Sequence, residues 1–210
     1  MDIKKARILI YGAGRGGQLV AEMLSFTTAI QVVGMVDDNS DLWGKMVAGI
    51  EVLGGRELMM DLWLQKRFDA VVISIATPAT LGLRKELYLE LKEAGLAFTN
   101  AIHPSAVISL SAQIGENNVI SAGVIIGALA QIGNNNRIST HCNIEHHSIA
   151  GSHNFFGSHC VTGGAVSIGD SCVFGLGTMI ESLIRIGNGV QVASGVVVTQ
   201  NLADGSMVGF

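Results

Sequence analysis

The stretch IGENNVISAGVIIGALAQIGNNNRI, residues 114–138, places Ile at 114, 120, 126, 132 and 138, a step of six. The step continues without a slip in both directions. It reads Ile102, Ile108, Ile114, Ile120, Ile126, Ile132, Ile138, Ile144, Ala150, Phe156, Thr162, Ile168, Phe174, Ile180, Ile186, Val192 and Val198. Of these seventeen positions only Ala150 and Thr162 are not large and apolar. Gly follows at once at 115, 127, 133, 157, 169 and 187, and again at 151, 163 and 175. An α-helix would need an apolar period near 3.6, and this glycine load would destabilise it. A six-residue period specifies a parallel β-helix. Each hexad supplies one short strand and one corner, and three hexads close a coil. The inward side chain then stacks on its equivalent eighteen residues away, about 4.7–4.9 Å along the axis. The glycines are expected to serve a tight turn after each strand. Ala150, the first small residue in the series, is expected to leave looser packing beside it.

Charge divides the chain. Of its 30 Asp, Glu, Lys and Arg residues, only Glu116, Arg137, Glu145, Asp170, Glu181, Arg185 and Asp204 lie beyond residue 100. We therefore expect two domains, 1–100 and 101–210. Charge-poor flat faces suit self-association. A net charge of −4 gives no reason to expect nucleic acid or an anionic membrane. The start, Met1-Asp2-Ile3-Lys4-Lys5, reads as leading directly into a strand, with no signal peptide and no membrane span. Cys142, Cys160 and Cys172 share one hexad position and fit no metal spacing. They read as core-filling thiols in a reducing, cytoplasmic setting.

The first hundred residues alternate strand and helix. Expected strands are 7–11, 30–36, 47–53, 69–75 and 97–100, and expected helices are 18–25, 57–64 and 80–94. This describes a small Rossmann-like α/β domain with a parallel sheet. Gly12, Gly14 and Gly17 form G-x-G-x-x-G between the first strand and helix. Such a turn lets backbone approach a phosphate at a helix N-terminus. Asp37 follows twenty residues later, where an acid usually reads a ribose or base. The motif indicates a nucleotide without separating a dinucleotide from a nucleotide-sugar.

The eighth hexad reads Ile144-Glu145-His146-His147. Histidine suits proton removal from an attacking amine or hydroxyl near neutral pH. His141, His147, His153 and His159 share one hexad position, whereas His146 is alone at its own. No third ligand accompanies the stacked pair His141 and His159, so no metal site is expected.

This combination resembles the bacterial nucleotide-sugar and sialic-acid acetyltransferases, the PglD/NeuD-like hexapeptide-repeat enzymes. The likeness covers essentially the whole chain. It rests on ILIYGAGRGG, VVGMVDDN and IEVLGG, on NAIHPSAVIS at the joint, and on NIEHHSIAG, VTGGAVSIGD and SGVVVTQNL in the repeats. The resemblance implies a left-handed β-helix, a homotrimer with active sites between subunits, and a role in surface-polysaccharide or glycoprotein biosynthesis. It implies N-acetylation of a nucleotide-linked amino sugar, with UDP as the expected nucleotide and acetyl-CoA as co-substrate. His146 would be the general base, attended by Glu145 and His147. Gly12, Gly14, Arg15, Gly16, Asp37 and Asp38 would hold the nucleotide-sugar, and Phe155 and Gly164 would line the acetyl-CoA site. O-acetylation of a sialic acid, or a nucleotide-sugar-binding scaffold that has lost acetyl transfer, stay open as alternatives. The chain departs from the family at three points. His147 stands where relatives have Glu or Asp, Phe155 stands where relatives often have His, and the closing segment stops at Val208-Gly209-Phe210.

Overall fold

A computed structural model describes residues 5–210; residues 1–4, the head of the expected first domain and of its lead-in strand, lie outside it. The first unit is a five-stranded sheet in the order β3-β4-β2-β1-β5. Its strands are β1 (Ala6–Tyr11), β2 (Ile30–Val36), β3 (Met46–Val47), β4 (Ile50–Gly54) and β5 (Ala70–Ile73). Helices α1 (Arg15–Ser25), α2 (Glu57–Leu64) and α3 (Leu81–Glu93) cover it. The apolar runs of β1 and β5 are buried on both faces, as central parallel strands must be.

Four expectations need correction. The sheet is mixed, because β3 pairs antiparallel with β4. The expected strand 47–53 breaks at Ala48-Gly49, where both residues take positive φ, 50° and 76°, the requirement of a two-residue hairpin turn. The expected strand 97–100 contributes one parallel bridge, Val71 to Phe98. Helix α1 also begins at Arg15, earlier than expected, so Gly16 and Gly17 belong to its first turn. A Cβ on Gly16 would lie 2.4 Å from the Ser74 carbonyl oxygen, and one on Gly17 would lie 2.1 Å from that of Gly12. Those glycines let the helix sit directly on the strand ends.

The second unit is a left-handed β-helix of parallel strands. Seventeen two-residue strands, from Ala101–Ile102 to Val197–Val198, follow the hexads one for one, and Met207–Val208 adds another. They stack as three faces of seven, six and five strands. Face 1 holds Ile120, Ile138, Phe156, Phe174 and Val192; face 2 holds Ile126, Ile144, Thr162 and Ile180; face 3 holds Ile132, Ala150, Ile168 and Ile186. All of these inward residues are buried in one core. Ala150 is itself buried in that core, and it shares a coil with Phe156, whose ring stacks on Phe174 at 5.1 Å.

The glycine expectation also changes. From Ile114 to Val192, positive φ falls three residues after each inward residue, at Asn117, Leu129, Asn135, His141, His147, His153, His159, Ala165, Ser171 and Leu183, and at Gly123, Gly177, Gly189 and Gly195. The glycines directly after the strands do not have it. They are needed because the next coil approaches; a Cβ on Gly133 would meet the Gly151 carbonyl at 2.7 Å.

The corner between faces 3 and 1 carries two polar ladders. The side-chain oxygens of Asn100, Asn118, Asn136 and Asn154 each accept the N–H eighteen residues on, and their amides donate to Gly115, Gly133, Gly151 and Gly169 carbonyls. The second ladder ties the two units together. The Ile73 N–H donates to Asn117 Oδ1 (2.9 Å), Asn117 Nδ2 to Asn135 Oδ1 (2.7 Å), and Asn135 Nδ2 reaches His153 Nδ1 (2.8 Å). Beside it, fully buried Arg84 of α3 donates to the carbonyls of Ile73, Ile75, Asn117 and Asn135. Burial, and then repulsion from Arg137, pull its guanidinium down to about 9. Ala101 and Val119 complete the seam by entering the core of the α/β unit. Among the described residues no helix is long and apolar enough to cross a membrane.

The directed chain makes His153 Nδ1 an acceptor, hence neutral. Burial first, and then Lys85, with Asp170 opposing, hold the imidazole down to about 4, against roughly 6.5 in an unfolded chain. The unfolded chain takes up the proton first as pH falls. This site's stability is therefore full above about pH 6.5 and is lost toward about pH 4. His153→Asn continues the Asn117–Asn135 series at a left-handed position that Asn tolerates. Melting temperature should fall less steeply for His153→Asn than for the wild type between those pH values; parallel curves would contradict the assignment.

Candidate functional site

Two places concentrate polar groups. The first is a cavity of about 510 Å³ between the glycine-rich turn and face 1 of the β-helix. It is lined by Gly12, Gly14, Arg15, Gly16, Gly17, Asp37, Ser74, Thr77 and Arg137, among others. The first-turn N–H groups of α1 lack intrahelical partners and carry the positive end of the helix dipole. Asp37 shapes the turn as well as lining the space: its Oδ2 accepts the Ala13 N–H at 2.7 Å, and its Oδ1 the Asn39 N–H at 2.9 Å. Asp38 is elsewhere. It accepts the Tyr11 hydroxyl at 2.7 Å and does not line this cavity.

Arg137 is the residue that the motif search missed. It comes from the β-helix, at an outward position on face 1 beside Phe155. Burial lowers its pKa, and its neighbour Arg84 is bonded to carbonyls, with no carboxylate among those contacts. A signal was available: Arg137 and Arg185 are the only basic residues in the charge-poor repeat region besides the histidines.

The second place is the corner between faces 2 and 3. Strand Asn143–Ile144 ends there and Ile149–Ala150 begins. His146 is exposed, and its Nδ1 lies 3.0 Å from His147 Nδ1, with the rings nearly perpendicular at 89°. Its ring lies over Gly164, one coil onward, where a Cβ would fall 2.7 Å from His146 Cε1 and 2.8 Å from Nε2. Glu145 does not touch the His146 ring in any contact seen. Its Oε1 accepts from Asn143 Nδ2 at 3.0 Å, its Oε2 from the His146 backbone N–H at 3.4 Å, and its own N–H donates to Thr162 Oγ1. The Gly164 N–H donates to Ser182 Oγ at 3.1 Å. No cluster of three or more metal-ligating side chains occurs among the described residues.

A family model described as C2185-like, N-terminal, matches residues 4–87. Perosamine N-acetyltransferase from Caulobacter crescentus, solved with CoA and GDP-perosamine and carrying one histidine-to-asparagine replacement, is similar throughout. It is 29% identical, with a TM-score of 0.88 over 97% of this chain and 94% of that chain. The chain is thus similar over nearly its whole length to a sugar N-acetyltransferase of the PglD/NeuD-like hexapeptide-repeat kind. Two further relatives share its fold. The acetyltransferase domain of PglB from Neisseria gonorrhoeae, solved with acetyl coenzyme A, has a TM-score of 0.86 at 21% identity, covering 98% and 97% of the two chains. WeeI from Acinetobacter baumannii has a TM-score of 0.60 at 22% identity with the same coverage. A search of curated proteins finds no match.

In this chain the expected residues fall into separate groups. Glu145, His146, His147 and Gly164 share one corner. The glycine-rich turn and Asp37 share the cavity with Arg137. Phe155 lies outward on face 1, which is opposite the His146 corner in a three-sided prism, so one chain does not bring Phe155 and His146 together. At Gly164 φ is not positive, so alanine suits the backbone but not the His146 ring. Gly164→Ala should melt like the wild type while the His146 ring swings away in a crystal structure; an unmoved ring would contradict the packing described.

Proposed function

We propose that this protein transfers an acetyl group from acetyl-CoA to the amino group of a nucleotide-linked amino sugar, with His146 as general base. The observation that carries this reading is the exposed His146 imidazole, seated over Gly164 with its Nδ1 against His147 Nδ1. The whole-chain likeness to an N-acetyltransferase solved with CoA and GDP-perosamine supports it. In the reaction the amine nitrogen attacks the thioester carbonyl and passes a proton to His146 Nε2. The C–S bond then breaks, and the imidazolium returns that proton to the departing thiolate. The Gly164 N–H is the oxyanion donor, provided Ser182 Oγ yields to the oxyanion.

The cavity at the glycine-rich turn suits the diphosphate of the sugar nucleotide. It combines free N–H groups at a helix start with the Arg137 guanidinium across from them. UDP and GDP both present that diphosphate, and the likeness to a GDP-perosamine enzyme makes both candidates. Phe155 continues face 1 from Arg137 and offers an apolar surface to the acetyl-CoA arm.

The separation of these groups within one chain favours a site built from two copies, as in a homotrimer with parallel axes. Face 2 supports that assembly. Its outward residues Val107, Ile125, Val161, Met179 and Val197 form an exposed apolar stripe. Asn143 interrupts the stripe, with an Oδ1 that is buried and without a hydrogen-bond partner. A second chain would cover the stripe and could supply that donor.

Two variants test the reading. A Cβ at Gly14 meets nothing within 4 Å, so Gly14→Glu should fold normally yet place a negative charge in the cavity. Amino-sugar nucleotides with UDP, GDP or dTDP, one of which should raise the wild-type melting temperature by mass action, should no longer stabilise it. His146→Ala should retain that binding while kcat falls about 10²–10⁴-fold. Stabilisation by NAD and by no sugar nucleotide would refute the proposal, as would near-normal turnover of His146→Ala.

A further inference from the structure

We infer that His147 is a positioning residue that holds His146 in its Nδ1–H tautomer, in the place a carboxylate would otherwise take. This rests on the reading of His146 as the base, but its central observable does not require turnover.

The two Nδ1 atoms are 3.0 Å apart, so one proton lies between them. Only one arrangement leaves His146 a base. If His146 donates from Nδ1, its Nε2 carries a lone pair and can take the amine proton. If His147 donates instead, His146 carries its proton on Nε2 and has nothing there to accept with. A fixed acceptor at Nδ1 therefore decides whether the ring can work, as a partner on the second ring nitrogen does for histidine generally.

His147 is built to be fixed. Its backbone takes φ 58°, the corner's left-handed position, and its N–H is bonded to the Ala128 carbonyl at 2.9 Å. The nearest carboxylate, Glu145, is turned to Asn143 and to the His146 backbone. The coils packed on either side place Ala128, Gly164 and Ser182 in the His146 column, and Leu129, Ala165 and Leu183 in the His147 column. None of these is charged. Glu145 and, two coils onward in its column, Glu181 are the titratable groups nearby. No other group within these columns competes for His146 Nδ1.

When His146 takes the amine proton it becomes an imidazolium, with Nδ1–H still directed at the His147 lone pair. A neutral imidazole stabilises that cation less than a carboxylate would, and it holds the tautomer only while its own proton sits on Nε2. His147 thus supplies orientation and proton placement rather than a counter-charge.

The test uses ¹⁵N-histidine-labelled full-length protein at a pH well above the ordinary imidazole pKa of about 6.5. Two variants accompany the wild type. His147→Gly suits the left-handed backbone and removes the acceptor. His147→Asn also suits that backbone and places Oδ1 where the imidazole Nδ1 had been. The wild type and His147→Asn should show His146 protonated on Nδ1, and His147→Gly should lose that signature. In parallel, kcat should fall roughly 10- to 100-fold in His147→Gly, the usual range for losing a histidine's outer partner. KM for both substrates should hold, and His147→Asn should restore most of the loss. An Nε2–H tautomer of His146 in the wild type, or a His147→Gly variant that keeps the Nδ1–H tautomer or full turnover, would overturn the inference. A tautomer set by His147 in an enzyme whose turnover survives His146→Ala would sink the base instead, leaving the positioning intact.

Discussion

Each coil closes in three six-residue steps, and every side chain in residues 102–198 is placed by that closure. An inward residue shares its layer with two coil-mates, and the large Phe156 stands beside the small Ala150 and Thr162. The residue after it must be small where the next coil arrives. The residue three beyond it must accept positive φ, and Asn, His, Ser, Ala and Leu serve there as well as Gly. Non-glycine residues in that conformation cost energy one by one, and the parallel ladder overdetermines each of them. A corner histidine is therefore held rigidly by the repeat itself, without a dedicated scaffold.

That rigidity is what the proposed reaction would draw on. At one corner the repeat places His146 over a glycine and against His147, within 3.0 Å at the nitrogens. At another, the asparagine ladder and Arg84 weld the α/β unit to the coils, which brings Arg137 to the rim of the phosphate-type cavity. Arg84 is charged, buried and satisfied by four carbonyls. The departure at position 147, which left a scaffold reading open, would acquire a chemical role under the proposed positioning of His146.

The hexads were legible because a period of six over ninety-seven residues has one architectural solution. The reason for the glycines was not, since a one-dimensional pattern does not distinguish a turn from a close approach by a coil eighteen residues away. The hairpin at Ala48-Gly49 was hidden because alanine rarely takes positive φ, and no periodicity marks it. In the site, His146 stood out by its unique place in the hexad and the glycine-rich turn by its motif. Arg137 did not, because its function depends on how two units meet. Asp38 looked equivalent to Asp37 in sequence, yet alternate direction at the end of β2 sends it to Tyr11.

In the proposed assembly one copy supplies the cavity at the glycine-rich turn and another supplies His146. Mixed oligomers of Gly14→Glu and His146→Ala chains test it most directly. Each variant alone lacks one half of every site. In a mixture, a site that joins the intact cavity of a His146→Ala chain to the intact base of a Gly14→Glu chain is whole. The account predicts that co-expressed or co-refolded chains regain acetyl transfer to an amino-sugar nucleotide that neither homo-oligomer shows. Mixed oligomers with no activity above the two parents would contradict it.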